Sequence, residues 1–233
     1  MAQSMTPMNS NRFVNDDVSE LQEANHSPIY GYQHLSVMTL EQAVEKLVPS
    51  VSNLIDYVAQ AKQYCNRNSS LITWDESAAI YLYSMQTDFF SMLNKALRNG
   101  KRHVLKPWFA FLKLFLTALE KLPSLNDTVW RGVSGNINSN FVHNGLQTWW
   151  SVNSCSKALN VIEPFVGRKG VVFAIKVMHG KDISAYSAFP HEAEVIIMPG
   201  TRVRVKSNPL NFNDYLLIVH LEEEPACDQN IQW

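Results

Sequence analysis

The sequence predicts an α+β fold in which a lobe of helices comes first and a mainly antiparallel β-sandwich follows. From Met38 to Pro123, apolar side chains recur at helical spacing. After Leu125, short β-rich segments alternate with clusters of Gly, Pro and Asn. Apolar residues make up 46% of the 233, so the chain can bury an ordinary globular core.

The same patterns divide the chain into four parts within one integrated domain. Residues 1–30 are rich in Asn, Ser, Gln and Met without apolar periodicity, which is typical of a flexible N-terminal arm. Residues 31–125 are predicted to form the helical lobe, and residues 126–224 the β-sandwich core. Residues 225–233 are predicted to be a C-terminal tail.

Two capping boxes mark helix starts, because a Thr followed three residues later by Glu or Gln satisfies two backbone donors reciprocally. One consists of Thr39 and Gln42, and the other of Thr73 and Glu76. The second opens the longest predicted helix, which we expect to end at Gly100, since glycine adopts the left-handed C-terminal conformation at low cost.

Two further helices are predicted in this lobe. Ser50 is the predicted N-cap of one, and Pro107 suits the first turn of the other, which Pro123 ends. The apolar face of the helix after Ser50 is predicted to consist of Val51, Leu54, Ile55 and Val58. Such stripes indicate core packing and give no reason to assign a cofactor to this lobe.

Six strands are predicted after Leu125. The alternation is clearest where Val203 and Val205 are interleaved with Arg202 and Arg204, as in a strand with one face in water. The predicted strands are Thr128–Arg131, Thr148–Val152, Val171–Met178, Glu194–Met198, Thr201–Val205 and Tyr215–Leu221.

Composition argues against several classes of protein. The formal net charge is −1 and neither half is basic, so no nucleic-acid partner is predicted. The longest apolar stretch is interrupted by Lys106, Pro107 and Lys113, so no membrane span is predicted. The first 30 residues lack a secretory signal pattern, which favours a cytoplasmic or otherwise intracellular protein, and we expect a soluble monomer.

Cysteine and histidine spacing gives little support to disulfide or metal chemistry. The three cysteines are too few for a disulfide scaffold, although a pair between Cys65 and Cys227 stays open. The seven histidines show no paired metal-ligand spacing, so no metal is predicted. Cys155 is a possible nucleophile with His191 as base, but a small buried hydrophobe is the favoured interpretation.

Arg131 is the first of three places that indicate a ligand. It lies in the apolar segment Thr128–Val133, where an arginine is costly unless it is paired. Its guanidinium can bind a phosphate or a carboxylate bidentately, and Gly132 beside it lets a flat ligand approach the backbone. Taken alone, a structural ion pair and a ligand site explain Arg131 equally well.

The other two places carry paired polar side chains. Ser154 and Ser156 are two residues apart, so on a strand their hydroxyls face the same side. Glu192 and Glu194 are also two apart, where a loop enters a strand, and we expect them to share a face. Two neighbouring carboxylates repel each other unless positive charge lies between them, and Arg131 or a cationic substrate would supply that charge.

In this order, the three places resemble the Arg…Ser…Glu signature of the cholera-toxin-like, or arginine-specific, mono-ADP-ribosyltransferases. The resemblance covers residues 38–222 and departs at Cys155, which replaces the middle residue of the usual Ser-Thr-Ser triplet and should point away from the ligand. The matching segments are Val129–Val133, Trp150–Ser156 and Tyr186–Pro199, together with Asp75–Tyr83 and Leu93–Arg98 in the helical lobe.

The resemblance implies a split antiparallel β-sandwich of the ADP-ribosyltransferase type that binds NAD+ in its cleft. Arg131 would anchor a phosphate and a ribose, and the backbone of Gly132 would hold the nicotinamide amide. Ser154 would bind the nicotinamide-side ribose with support from Ser156, and Phe165 would stack on a ring.

It also implies separate duties for the two glutamates. Glu194 would accept a hydrogen bond from the ribose 2′-hydroxyl and stabilise the oxocarbenium ion as nicotinamide leaves. Glu192 would orient an arginine side chain of a protein acceptor and take its proton, since a guanidinium is a poor nucleophile. Two alternatives stay open: an NAD+ glycohydrolase that uses water as acceptor, and a non-catalytic NAD-binding or interaction module.

Overall fold

The computed structural model confirms an α+β fold in which a run of helices precedes most of the sheet. It describes residues 14–15, 31–99, 101–134, 141–166, 170–212 and 216–225. The helices of these residues are α1 (Leu40–Val44), α2 (Leu54–Tyr64), α3 (Trp74–Ser84), α4 (Asp88–Asn99), α5 (Arg102–Leu105), α6 (Phe109–Lys121) and α7 (Leu159–Val166).

The strands of the described residues belong to one hydrogen-bonded network. They are β1 (Val14–Asn15), β2 (Ser124–Ser134), β3 (Leu146–Trp149), β4 (Asn153–Ser156), β5 (Gly170–Asp182), β6 (Glu194–Ile197), β7 (Thr201–Val205), β8 (Leu210–Phe212) and β9 (Leu216–Glu223). Their order is β1-β2-β4-β6-β5-β9-β7-β3, with β8 on β9 and a further pairing of β2 with β5. Among these pairings, only β1 with β2 and β5 with β9 are parallel, so the predicted antiparallel character is confirmed.

Strand β5 pairs with three other strands, β2, β6 and β9. It pairs with β2 and β9 along most of its length, and its last residues, Lys181 and Asp182, pair with β6. Strand β4 pairs along its whole length with β6, but the described ladder joins it to β2 at one residue pair, Trp130 with Ser156. Arg131 follows that pair directly, at the point where β2 and β4 separate.

The helical lobe packs around aromatic rings and rests on one side of the sheet. The ring centroids of Tyr83 and Phe115 lie 4.9 Å apart, and those of Phe89 and Phe111 lie 4.8 Å apart. The same buried cluster continues onto the sheet side through Val152, Ile183, Tyr186 and Ile196. A second cluster, which includes Val129, Val133, Cys155, Phe173, Val195 and Ile197, fills the sandwich itself.

Both predicted capping boxes are confirmed. Thr39 and Gln42 cap α1 reciprocally, and Thr73 and Glu76 cap α3. The Glu76 carboxylate also accepts a hydrogen bond from Lys121 Nζ, with 2.5 Å between Nζ and Oε1, and this ion pair joins the start of α3 to the end of α6. The buried Glu76 side chain is therefore paired, as a buried charge must be.

The single long helix predicted to run up to Gly100 is wrong, because α3 ends and α4 begins within it. Met85 has an extended backbone with a ψ of 149°. Thr87 Oγ1 then accepts the backbone N–H of Phe89 at 3.3 Å, which is the way a threonine starts a helix. Gly100 itself lies outside the described residues.

The predicted N-cap at Ser50 is also wrong. Helix α2 begins at Leu54 after Asn53, whose φ of +57° is a left-handed conformation that asparagine adopts more readily than most residues. Ile55, which was predicted on the buried face, is 67% exposed, whereas Leu54 and Val58 are buried. The buried stripe of α2 consists of Leu54, Val58 and Ala61, and Ile55 lies outside this narrow stripe.

The segment predicted as one strand from Thr148 to Val152 is not one strand, because only Thr148 and Trp149 belong to β3 and residues 150–152 connect β3 to β4. Strand β3 ends at Trp149 and pairs with β7, whereas β4 begins at Asn153 and pairs with β6. The chain therefore changes partner strands between these residues, and a continuous β-rich run does not reveal such a change. Strand β7 is observed as predicted, and helix α7 and strand β8 were not predicted.

The N-terminal arm predicted for residues 1–30 contains a short strand. Val14 and Asn15 form β1 and pair in parallel with Gly132 and Val133 of β2. The rest of residues 1–30 lies outside the described part of the chain, as does Cys227 of the C-terminal tail. The pairing of Cys227 with Cys65 is therefore untested.

Helix length bears on the membrane prediction. The longest helix in the described ranges, α6, has 13 residues, whereas a bilayer crossing takes about 20. No helix in these ranges combines the length and the hydropathy that a membrane span requires.

Candidate active site

Arg131 lies on β2 with its side chain fully buried. On the same strand face, Val129 and Val133 belong to the core of the sandwich. The guanidinium crosses to the neighbouring strand, where Nη1 donates a hydrogen bond of 2.7 Å to the carbonyl oxygen of Ser154. A permanent cation is thus held at the point where β2 and β4 separate.

The two predicted serines lie on β4, with Cys155 between them. Cys155 is buried in the sandwich core, and the alternation of strand side chains places Ser154 and Ser156 on the opposite face. The Oγ of Ser154 lies 3.0 Å from the hydroxyl oxygen of Tyr83 on helix α3. Cys155 therefore packs as a small hydrophobe, and Ser154 faces the helical lobe.

Ser156 contacts the segment that carries the two glutamates. Its hydroxyl donates a hydrogen bond of 2.7 Å to the backbone oxygen of Glu192 and accepts one of 3.0 Å from the backbone N–H of Ala158. The end of β4 is thereby fixed to the turn before β6 and to the residue before helix α7.

Glu194 is the first residue of β6 and is fully buried. It lies directly opposite Ser156 in the β4–β6 ladder, so the two side chains share a face. Ser187 Oγ donates a hydrogen bond of 3.5 Å to Glu194 Oε2, and the backbone oxygen of Glu194 accepts the N–H of Ile183 at 3.0 Å. The fully buried carboxylate of Glu194 thus lies on the same face of the sheet as the hydroxyls of Ser154 and Ser156.

Glu192 is held differently from Glu194. It ends a one-turn helix, Pro190–Glu192, and its side chain is half-buried. Ala193 follows with a φ of +47°, a left-handed conformation that is uncommon for alanine. Glu192 therefore precedes the strand that Glu194 begins, and the expectation that the two glutamates share a face stays a prediction.

Three residues of the helical lobe contact the site strands or the segments next to them, and the sequence analysis gave none of them a role there. Asn94 Nδ2 donates to the backbone oxygen of Val152 and its Oδ1 accepts the N–H of Val152, both at 3.0 Å. Ser84 Oγ accepts the backbone N–H of Ala188 at 2.7 Å. The third residue is Tyr83. The sequence signal that could have found these residues is a polar side chain on the buried face of a predicted helix, because such a group has to find a hydrogen-bond partner.

An ion pair lies behind the glutamate segment. Lys157 Nζ lies 2.6 Å from Asp182 Oδ2, and the backbone N–H of Lys157 donates to the oxygen of Ala193 at 3.1 Å. Burial raises the pKa of the Asp182 carboxyl, but hydrogen bonds from Lys157 and Ser184 outweigh this effect and lower that pKa below its ordinary value of 3.8.

Two of the predicted ligand contacts remain predictions. Gly132 pairs with Val172 on β5 and with Val14 on β1, so β1 runs beside the backbone to which the nicotinamide amide was assigned. Phe165 belongs to helix α7, and its side chain lies outside what the structure describes. Within the described ranges, no group of three or more His, Cys, Asp or Glu side chains is arranged to hold a metal ion.

The site therefore combines a buried guanidinium, two hydroxyls and a buried carboxylate where two strands separate, with a second carboxylate on the adjoining turn. Such a set can bind an anionic ligand at Arg131 and stabilise a developing cation at Glu194. A family model described as NAD:arginine ADP-ribosyltransferase matches residues 17–222. The chain belongs to this family. Members of the NAD:arginine ADP-ribosyltransferase family use NAD+ as the ADP-ribose donor, as the resemblance implied.

Solved structures of other ADP-ribosyltransferases share the fold. The eukaryotic mono-ADP-ribosyltransferase ART2.2 is 18% identical with a TM-score of 0.61, covering 83% of this chain and 87% of its own. Vis from Vibrio splendidus, in complex with agmatine, is 19% identical with a TM-score of 0.58, covering 84% and 91%. Exoenzyme S from Pseudomonas aeruginosa, bound to carba-NAD and human 14-3-3 protein beta, is 19% identical with a TM-score of 0.59, covering 82% and 94%. No curated protein matches the sequence.

Proposed function

We propose that this protein transfers ADP-ribose from NAD+ to an arginine side chain of a protein acceptor and releases nicotinamide. The observation that carries the proposal is the fully buried carboxylate of Glu194, placed opposite Ser156 in the ladder. A fixed negative charge in a water-poor site stabilises a developing sugar cation, and such preorganised electrostatics is commonly the largest catalytic contribution.

Binding of NAD+ is assigned to the residues on the two separating strands. Arg131 binds a phosphate of the dinucleotide, since its guanidinium stays charged and offers several donors in one plane. Ser154 binds the ribose next to nicotinamide, because its hydroxyl can donate or accept. The hydrogen bond from Arg131 to the Ser154 backbone supports this assignment, since it fixes the cation next to the sugar site.

The reaction breaks the bond between ribose C1′ and the nicotinamide nitrogen, and the bonding electrons leave with nicotinamide. Glu194 stabilises the oxocarbenium ion that remains and accepts a hydrogen bond from the ribose 2′-hydroxyl. A guanidinium nitrogen of the acceptor then bonds to C1′, and its proton passes to Glu192. The products are ADP-ribosyl-arginine, nicotinamide and one proton.

Arginine is the proposed acceptor because a carboxylate, rather than an amide, stands at position 192. A guanidinium with a pKa above about 12 reacts only when a base orients it and takes its proton. Two observations support this acceptor: the family description names arginine, and Vis has been crystallised with agmatine, which carries a guanidinium. Glu192 is also only half-buried, so a side chain of another protein can approach it.

The test is incubation of the full chain with NAD+ labelled in its ADP-ribose part, with and without agmatine. Nicotinamide, free ADP-ribose and ADP-ribosyl-agmatine are quantified separately. We expect the agmatine adduct to be a major product and nicotinamide to equal the sum of the two ADP-ribose products. Free ADP-ribose alone would replace the proposal with an NAD+ glycohydrolase, and no nicotinamide release would replace it with a binding module.

A further inference from the structure

The buried contact between helix α3 and strand β4 involves a residue to which neither the family description nor the resemblance gives a role. Tyr83 is fully buried, and its hydroxyl oxygen lies 3.0 Å from Ser154 Oγ. Its ring packs against Phe115 of α6 with centroids 4.9 Å apart, so the phenol is held within the aromatic core of the helical lobe. The hydroxyl therefore reaches Ser154 from a rigid support.

The backbone next to Ser154 is fixed by the same lobe. Asn94 on α4 pairs its amide with both the N–H and the oxygen of Val152, as a neighbouring strand would. Val152 lies two residues before Ser154, so this contact fixes the position of β4 relative to the helices. The backbone of β4 and the hydroxyl of Ser154 are thus both held from the lobe.

The backbone of Ser154 contacts Arg131. The carbonyl oxygen of Ser154 accepts the Arg131 guanidinium at 2.7 Å, while its side chain meets Tyr83. A serine hydroxyl left to itself occupies three staggered orientations and loses that freedom when it binds a ligand. A hydrogen bond to Tyr83 selects one orientation before the ligand arrives, which is preorganisation.

We infer that Tyr83 is a positioning residue that acts through Ser154 on the affinity for NAD+. This inference rests on the proposed function, because it takes Ser154 as a ligand of the nicotinamide-side ribose. Tyr83 does not bind the dinucleotide in this account. Its hydroxyl sets the rotamer of Ser154 and leaves the second hydrogen-bonding position of that serine for the ribose.

The experiment is a double-mutant cycle with Tyr83→Phe, Ser154→Ala and the double variant. Tyr81→Phe is the matched control, since it removes a phenolic hydroxyl from the same helix at a half-buried position. The Kd for NAD+ is measured by calorimetry, and KM and kcat are measured from nicotinamide release. Melting temperatures of all variants report on the fold.

We expect Tyr83→Phe to raise the Kd and KM for NAD+ about fivefold, because the Ser154 hydroxyl then has to be ordered when the ligand binds, with kcat changed less than about twofold. Tyr81→Phe should leave these constants unchanged. In the Ser154→Ala background, Tyr83→Phe should have no further effect, because two residues that act through one contact are not additive.

Three results would overturn the inference. One is a lower melting temperature of Tyr83→Phe without a change in Kd, which would make the residue purely structural. Another is full additivity of Tyr83→Phe and Ser154→Ala, which would separate the two residues. The third is a wild-type chain that does not bind NAD+, which would overturn the proposed function as well.

A wild-type chain that binds NAD+ without releasing nicotinamide would overturn only the proposed function, because the double-mutant cycle can then still be read from the Kd values.

Discussion

Glu192 and Glu194 are separated by one residue, yet the structure holds them by different means. Glu194 is fully buried at the start of a strand, opposite Ser156 in the ladder. Glu192 is half-buried at the end of a one-turn helix, where its carbonyl is fixed by the hydroxyl of Ser156. The left-handed Ala193 separates the strand from the turn. The sheet thus fixes Glu194, which is assigned to the ribose, and the turn before it presents Glu192, which is assigned to the acceptor arginine.

The first prediction concerns the buried carboxylate and has the largest expected effect. Glu194→Gln keeps the size of the side chain and removes its charge, so both nicotinamide release and transfer to agmatine should fall about 10²- to 10³-fold. Rates are measured at saturating NAD+, and circular dichroism checks that the variant is folded. A variant that kept one activity at the wild-type rate would show that Glu194 does not serve the step common to both.

The second prediction changes the other member of the pair. Glu192→Gln removes the proposed base, so transfer to agmatine should fall about 10²-fold. Hydrolysis of NAD+ should stay within about threefold of the wild type, because water does not need the same orientation. The ratio of ADP-ribosyl-agmatine to free ADP-ribose is the measurement. Equal losses of both products would remove the distinction between the two glutamates.

The third prediction separates two roles for Ser156. Its hydroxyl donates to the backbone of Glu192, so Ser156→Ala should reduce transfer about fivefold, the effect of one hydrogen bond, with hydrolysis less affected. The two rates are compared in one assay with and without agmatine. An equal fall in both, with a higher KM for NAD+, would instead make Ser156 part of the NAD+ site.

The fourth prediction tests the support behind Ala193 and has the smallest effect. Asp182→Asn removes the ion pair with Lys157, whose backbone N–H is bonded to Ala193. Because the pKa of Asp182 is lowered in the folded chain, its contribution to stability is complete above pH 3.8 and is lost as the pH falls through the lowered pKa. We expect a loss of about 0.5 kcal/mol at neutral pH.

The measurement for Asp182→Asn is the free energy of unfolding in urea at several pH values. The difference from the wild type should shrink towards zero as the pH falls through the lowered pKa of Asp182, because the wild-type carboxyl is then protonated too. A difference that is constant with pH would attribute the effect to the hydrogen bonds of Ser184 instead of the charge.

Capping boxes predicted two helix starts correctly, because a capping box is complete within four residues, whereas the single serine at Ser50 did not mark a helix start. Both boxes, at Thr39 and at Thr73, are present in the folded chain. The break between α3 and α4 was missed because the apolar spacing continues across it, and a single threonine, Thr87, starts the second helix. Periodicity reports which face is buried and does not report whether the helix is continuous.

The sequence also predicted part of the candidate site. Arg131 and Glu194 stand out in the sequence because each places a charge in an apolar segment, and Ser154 because its hydroxyl shares a strand face with that of Ser156. The fold brings their strands together. Neither Tyr83 nor Asn94 received a role in the site from the sequence. Their contacts with Ser154 and Val152 span 71 and 58 residues of sequence, so no local pattern can reveal them.

The two residues of β1 cover the outer edge of β2 at Gly132 and Val133. A chain trimmed to the residues that the family model matches, 17–222, would begin after Asn15 and lack this cover. The backbone groups of the arginine strand that face β1 would then be open to pairing with another polypeptide, and uncovered strand edges are sites of aggregation. Recombinant production should therefore retain the N-terminal segment, and a purification tag is better placed at the other end.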